Sequence, residues 1–222
     1  MANQNDSFID EVTEDLRRDR LFALFRRYGW VALALILLVV AGVSWREYSQ
    51  ARQQAAAQQW GDAILMAKAS GDPAAVLKVD PQGAPGRRTL AGLLAAAGWV
   101  DSGGVDAAGD TLRNIAQADA QDTVLQDLAQ LKLVMLRGAQ MDPSERDAIL
   151  TRISRAGAPF ELLALEQKAI ALVGAGRTED AITLIRQIQQ KDGLSEALRR
   201  RLSEMMIALG VEPDPTETMQ AG

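Results

Sequence analysis

"LALEQKAIALVGAGRTEDAITLIRQIQ", residues 163–189, is the stretch that decides the fold. Apolar residues recur at helical spacing on both sides of a short segment that contains Gly176, where a turn is expected. Thr178 can cap the second helix. Ala169 and Ala181 are small residues that allow two antiparallel helices to approach closely. The stretch therefore predicts a helical hairpin.

The same stretch matches the tetratricopeptide pattern, in which paired helices stack on the next pair. Ala169 and Ala181 take the small positions, and larger apolar residues fill the packing positions; these are Leu165, Leu172 and Ile185. Upstream, 128–136 aligns with 165–173 at a spacing of 37 residues, and Ala107 aligns with Ala181 at a spacing of 74. We therefore predict repeats that stack on one another.

The repeats are degenerate. The pattern's tryptophan position holds Leu165, its closing proline is missing at Gly193, and the middle repeat has shifted spacing. An irregular helical bundle without a repeat register is the alternative. Seven helices are expected in this part of the chain, without strands, at about 90–99, 105–117, 121–137, 143–155, 159–174, 178–191 and 194–209. The breaker-rich segment 70–88 predicts a loop with room for one short helix.

An apolar run near the N-terminus, Tyr28 to Trp45, contains no charged residue. As a helix it would extend about 27 Å, close to the hydrocarbon thickness of a bilayer. Aromatic residues stand at both of its ends, as they do at membrane–water interfaces. The run predicts a transmembrane helix at 28–45, with these anchor residues: Tyr28, Trp30, Leu35, Leu38 and Trp45.

A cleaved export signal is the competing interpretation of this run. It would need a short charged head and a small-residue cleavage site directly after the apolar core. Here 27 residues precede the run, and the nearest Ala-x-Ala, at 55–57, lies well downstream. A permanent anchor is favoured.

The basic residues on the two flanks of the run set its expected orientation. The flank before it contains Arg17, Arg18, Arg20, Arg26 and Arg27, whereas the 20 residues after it contain only Arg46 and Arg52. This asymmetry predicts a single-pass protein with a cytoplasmic N-terminus and a large C-terminal part outside, which in a bacterium is the periplasm. Residues 1–27 would be cytoplasmic, 46–210 a periplasmic helical domain, and 211–222 a flexible tail. Residues 6–27 fit an amphipathic helix at the lipid headgroups or a segment that docks on a membrane-protein partner.

Composition excludes several function classes. The net charge of −5 argues against nucleic acid as the main partner. The chain contains no cysteine and no histidine, so thiolate metal sites and the commonest general base are absent. Ser203 beside Glu204 lacks a positioned base, and the glycines of "GAGRTED" lack the lysine of a phosphate loop. We expect no catalytic site, no cofactor, no metal and no small-molecule substrate.

The whole layout resembles the YfgM-like family of ancillary SecYEG translocon subunits, in particular the tetratricopeptide-like membrane proteins of alphaproteobacteria. Three segments carry the resemblance: "DSFIDEVTEDLRRDRLFALFRRYGW" at 6–30, "PFELLALEQKAIALVGAGRTEDAITLIRQIQ" at 159–189 and "RRRLSEMMIALG" at 199–210. The resemblance implies an all-α inner-membrane protein whose periplasmic domain associates with the export channel and with periplasmic chaperones.

Binding without chemistry is the expected activity. Stacked helix pairs present a surface formed by the first helix of each pair. The residues expected on that surface, for contact with partner proteins or unfolded clients, are Gln126, Ala129, Leu133, Leu163, Glu166 and Ile170. Core packing is the favoured role for Leu133 and Ile170. The alternative function is a membrane-tethered scaffold or assembly factor for another inner-membrane complex.

Overall fold

A computed structural model describes residues 4–118 and 122–211. Within these ranges the side chains before residue 26, and those at 28, 29, 32 and 85, lie outside the description. The chain divides into two compact units, Met1–Gln59 and Trp60–Gly222.

The described residues form nine α-helices and no strand, which confirms the all-α class for this part of the chain. Their bounds are α1 Gln4–Ala69, α2 Pro73–Leu77, α3 Pro85–Asp101, α4 Val105–Gln117, α5 Thr123–Arg137, α6 Pro143–Ile153, α7 Glu161–Gly174, α8 Thr178–Gln189 and α9 Glu196–Ala208. Every helix expected after residue 89 is present within a few residues of its expected bounds.

α1 is a single long helix that includes the apolar run. The described part of this run is exposed, and large apolar side chains follow one another without interruption from Leu35 to Val40. Within the part of the chain that the structure describes, no helix combines the length and the apolar character that a membrane crossing needs.

Side chains that precede the helices fix several of their starts. The carboxylates of Asp72, Asp122 and Asp142 accept hydrogen bonds from backbone N–H groups of the first turns of α2, α5 and α6. The hydroxyl of Ser195 does the same for α9. These bonds satisfy N–H groups that have no partner inside the helix. The helices α3, α4, α7 and α8 begin without a side-chain cap, and Ala84 precedes α3.

Three helical hairpins make up most of the second unit: α3 with α4, α5 with α6, and α7 with α8. α3 also contacts α5, and α5 contacts α7, so the first helices of the three hairpins are neighbours. The first and third hairpins turn in the same way. Gly103 and Gly176 have φ of +80° and +73°, in the left-handed region that favours glycine. The N–H groups of Gly104 and Arg177 close these turns at 2.7 and 2.9 Å.

The buried residues of the second helices define a repeat register. Leu112, Leu150 and Ile185 are 3% exposed or less, and they follow one another at spacings of 38 and 35 residues. Ile115, Ile153 and Ile188 repeat the same spacings and are also buried. Ala108, rather than Ala107, lies in the core at the position equivalent to Ala181. The expected alignment of Ala107 is therefore off by one residue.

The first helices follow the same register. Ala91, Ala129 and Ala164 are 3% exposed or less and occupy equivalent positions in α3, α5 and α7. Ala96, Val134 and Ala169 form a second buried set. The spacing from α5 to α7 is thus 35 residues, and the expected 37 is wrong, because at that spacing buried Ala169 would be equivalent to the exposed Lys132.

Further helices cover the two ends of this stack. At the start, Ile64 near the end of α1 packs in one cluster with Val76 of α2 and with Ala91 and Ala95 of α3. At the end, α9 buries Leu198, Leu202 and Met206 against α7 and α8. Terminal helices of this kind shield apolar surfaces that would otherwise face water.

Candidate protein-binding face

A row of mostly exposed side chains crosses the first helices of the three hairpins. Each of these helices contributes three residues at positions i, i+4 and i+7, which share one side of a helix. We call the nine residues the first-helix face: Leu90, Leu94 and Ala97 of α3; Leu128, Lys132 and Met135 of α5; Leu163, Gln167 and Ile170 of α7. Their numbers follow the register of the buried core, so each triplet occupies the same place on its helix.

Seven of the nine residues are apolar, and most of them are open to solvent. Leu90, Leu94 and Leu163 are 37–40% exposed, Ile170 is 45% exposed and Met135 is 61% exposed. Burial of a side chain of this size stabilises a protein by about 1.5–3 kcal/mol. Exposed apolar residues that recur on neighbouring helices are typical of a site where a protein binds a partner.

A cavity of 370 Å³ lies within this face, between the last turns of α5 and α7. Met135, Gln167 and Ile170 line it together with Gly174, which has no side chain. Arg137 and Arg146 also line it. Arg137 is held in place because its guanidinium contacts Asp106 at 2.7 Å. The cavity can accept one apolar side chain of a partner.

The carboxylates of α5 and α7 are neutralised by cations of other elements. Asp127 pairs with Arg152 at 2.8 Å, and Glu161 pairs with Lys191 at 2.7 Å. Lys191 and the N–H of Gly157 both donate hydrogen bonds to Glu161, which lowers the pKa of this carboxyl below its usual 4.5. These two helices therefore present no free carboxylate to a partner.

Lys132 is the only charged residue of the face, and it lies at the centre of the α5 triplet. It is exposed and forms no ion pair with any described residue. Its neighbours in the same row are Leu94 and Gln167. A single unpaired ammonium group among apolar side chains gives the face a local positive charge, although the chain as a whole carries −5.

The six residues that the sequence predicts for a binding surface differ in their exposure in the structure. Leu163 and Ile170 are exposed and belong to the first-helix face. Gln126 is half-buried, and its amide donates a hydrogen bond to the carbonyl of Ala118. The other three are buried and are not available to a partner: Ala129, Leu133 and Glu166 are 0%, 2% and 5% exposed.

Each buried member of that set has a structural role. Ala129 is the small residue of α5 where hairpins approach closely, and Leu133 belongs to the main core cluster. Glu166 accepts hydrogen bonds from both Nε and one terminal nitrogen of Arg201, at 2.6 and 2.8 Å. The same carboxylate raises the pKa of Arg201.

The two-residue error in spacing explains why the sequence missed part of the face. At a spacing of 37 residues, Leu163 and Ile170 correspond to Gln126 and Leu133. At the observed 35 they correspond to Leu128 and Met135. The alignment of Ala164 with Ala129 was the signal in the sequence that could have given the correct register.

The anchor residues lie in the first unit. Trp30, Leu35, Leu38 and Trp45 are 64–76% exposed, whereas the side chain of Tyr28 lies outside the described residues. Arg26 and Arg27 are exposed. The side chains of the other expected topology-setting arginines, Arg17, Arg18 and Arg20, and the tail from Glu212 lie outside the description.

Ser203 is half-buried on α9 and Glu204 is exposed there. Among the described residues, no group of three acidic side chains is placed to hold a metal ion.

Comparison with known proteins assigns no family. No family model matches the chain, and neither curated proteins nor solved structures show significant similarity to it.

Proposed function

We propose that this chain is a non-enzymatic protein that uses the first-helix face to bind extended segments of partner proteins. The observation that carries the proposal is the recurrence of exposed apolar residues at equivalent positions of α3, α5 and α7. Among the apolar residues of the face, Leu128 also packs against the main core, whereas the others are exposed. Three neighbouring helices that each present the same triplet suit a ligand that crosses them in an extended conformation.

The chemistry of the face specifies its ligand further. A segment with apolar residues would contact the leucines, and one of its side chains would enter the cavity beside Met135 and Ile170. An acidic residue of the segment would pair with Lys132. Segments that combine apolar and acidic residues are therefore preferred over basic ones.

The finer fold that we propose is a degenerate tetratricopeptide-like array. The shared register of α3–α8, the equivalent turn glycines Gly103 and Gly176, and the contacts between successive first helices support it. The missing tryptophan and proline positions make it a divergent member of that class of folds.

The membrane location is also a proposal, and it rests on the sequence at 28–45 and on exposure. Large apolar side chains from Leu35 to Val40 are 55–74% exposed on all sides of the helix. Lipid chains would cover such a surface at no cost in hydrogen bonds, because the helix satisfies its own backbone. The arginine-rich flank places residues 1–27 in the cytoplasm and 46–210 in the periplasm.

Extraction of native membranes with alkaline carbonate tests this location. The full chain should remain with the lipid pellet, and a reporter fused after Gly222 should be active only if it functions in the periplasm. Release of the intact chain into the supernatant would overturn the anchor, and activity of a cytoplasmic reporter would overturn the orientation.

For a chain that is anchored in this orientation, the resemblance to YfgM-like proteins points to a translocon-associated role, in which the periplasmic domain binds export clients or chaperones. The second candidate is a scaffold for another inner-membrane complex. The N-terminal segment separates the two. If deletion of residues 1–25 abolishes partner association while changes to the first-helix face do not, the scaffold is favoured.

Affinity capture from solubilised membranes tests the face directly. The full chain with Met135→Ser and Ile170→Ser should lose its protein partners. Ile207→Ser is the matched control, because Ile207 is 54% exposed on α9 and lies outside the face. Equal recovery of partners by the double variant and by wild type would refute this role of the face.

A further inference from the structure

A second cavity lies in the first hairpin, away from the first-helix face. Its volume is 560 Å³, within the range of small-molecule sites. The loop before α3 forms one wall, with Pro81, Gly83 and Ala84, and a second wall is formed by Ile115 of α4 and by Ala118, which follows that helix. Gly92 of α3 also lines it.

Gly92 makes this cavity a property of the first hairpin alone. The equivalent residues of α5 and α7 are Gln130 and Leu165, which carry long side chains. A Cβ atom at Gly92 would lie 2.7 Å from Cδ1 of Ile115, so α3 and α4 approach each other here through the glycine. Ile115 fills the space beside Gly92, and the two residues together form an apolar part of the cavity wall.

The polar groups of the cavity can all donate hydrogen bonds, and none of its lining residues is acidic. Arg88 lines it and forms no ion pair with any described residue. Thr89 also lines it and is only 8% exposed. The side chain of Asn114 is a further donor.

The start of α3 adds Ala84 to the cavity wall. Ala84 provides no side-chain cap, Pro85 has no N–H group, and the N–H of Arg87 donates a hydrogen bond to the carbonyl of Ala84 at 3.1 Å. The positive end of the α3 dipole therefore lies beside the cavity without a carboxylate from the chain to neutralise it. The guanidinium of Arg88 and the side chain of Thr89 border the same cavity.

We propose that this cavity binds a small apolar carboxylic acid. Its carboxylate would lie at the start of α3 beside Arg88 and Thr89, and its apolar body would lie over Gly92 against Ile115. This site is independent of the proposed protein-binding face, which lies on the other side of α3.

Fluorine NMR with 4-(4-fluorophenyl)butyrate tests the proposal on the full chain in lipid nanodiscs, with empty nanodiscs as the blank. We expect saturable binding at one site. The uncharged amide of the same acid should bind at least ten times more weakly. Arg88→Ala should weaken binding of the acid at least tenfold, whereas Arg200→Ala, at an exposed position of α9, should not change it.

Ala84→Asp is the decisive variant. The backbone of Ala84, with φ −99° and ψ 106°, already has the conformation of a capping residue. An aspartate there would cap α3 and raise the thermal midpoint, yet its carboxylate would stand in the cavity wall and repel the acid. A more stable protein that no longer binds the acid supports the site. Unchanged binding by this variant, equal binding of the amide, or no saturable binding would overturn it.

Discussion

Glu166 of α7 and Arg201 of α9 form a two-point ion pair in which the carboxylate is buried and the guanidinium reaches solvent. The pair attaches the last helix to the first helix of the third hairpin. It also accounts for a charged residue at a core position, since the equivalents of Glu166 in the first two hairpins are Leu93 and Leu131, both buried.

Arg201→Ala should destabilise the protein by about 1–3 kcal/mol, because it leaves a buried carboxylate without its partner. Urea unfolding followed by circular dichroism measures the change. Arg199→Ala is the matched control: its ion pair with Glu196 lies on the surface of the same helix, so its loss should cost less than about 1 kcal/mol.

Glu166→Leu combined with Arg201→Met should restore stability to the wild-type value or above it. The change introduces the leucine that the other two hairpins carry, and it removes both charges together. If the double variant is as unstable as Arg201→Ala alone, the assignment of position 166 to the repeat core is mistaken.

The turn glycines give a second prediction. Gly176→Ala and Gly103→Ala should each cost about 1–2 kcal/mol, because both residues have positive φ. Gly174→Ala is the control two residues earlier: it lies in α7 with no atom near its added Cβ, and it should be neutral or stabilising. Thermal unfolding compares the three, and equal effects at 174 and 176 would contradict the shared turn geometry.

Acid sensitivity gives a third prediction. The pKa of Glu161 is lowered in the folded chain, so the unfolded chain binds its proton more readily and Glu161 stabilises the fold above pH about 4.5. That stability is lost as pH falls through the lowered pKa. Glu161→Gln should therefore lower the urea midpoint at pH 6, and the difference from wild type should become smaller as the pH falls below 4.5. Lys191→Met should act in the same way, and a pH-independent difference would contradict the pairing.

The helices could be predicted from the sequence because the apolar periodicity and the helix-breaking residues are local signals. Gly176 and the apolar stripes each act within a few neighbours, and the helix bounds followed from them. The expected cap at Thr178 is wrong: Arg177 precedes α8, Thr178 is its first residue, and no side chain caps the helix. The register between hairpins was harder to predict, because the three hairpins follow one another at spacings of 38 and 35 residues and so share no single repeat length.

The burial of Glu166 could not be predicted from the sequence, for a different reason. A carboxylate on an amphipathic helix normally faces water, and only a partner 35 residues away makes its burial favourable. Lys132 was missed because it replaces the leucine of the first hairpin at a position that has no role in packing. The ion pair of Glu166 and the exposure of Lys132 both depend on how the hairpins pack on one another, which the local sequence does not specify.

Lys132→Glu should weaken capture of acidic, apolar segments about tenfold and leave the unfolding midpoint unchanged, because the ammonium group is exposed and unpaired. Fluorescence anisotropy with a labelled peptide that alternates leucine and glutamate measures the affinity. Lys168→Glu is the control on α7. An equal loss from both variants would indicate a general charge effect rather than a site at Lys132.

Photocrosslinking in living cells is the most direct test of the central claim. A photoreactive residue is placed at Met135, at Ile170 or at the control position Ile207. The account predicts protein adducts from 135 and 170 that decrease in the Lys132→Glu background, and no comparable adduct from 207. Adducts of equal yield at all three positions, or none at 135 and 170, would contradict a partner-binding role for the first-helix face.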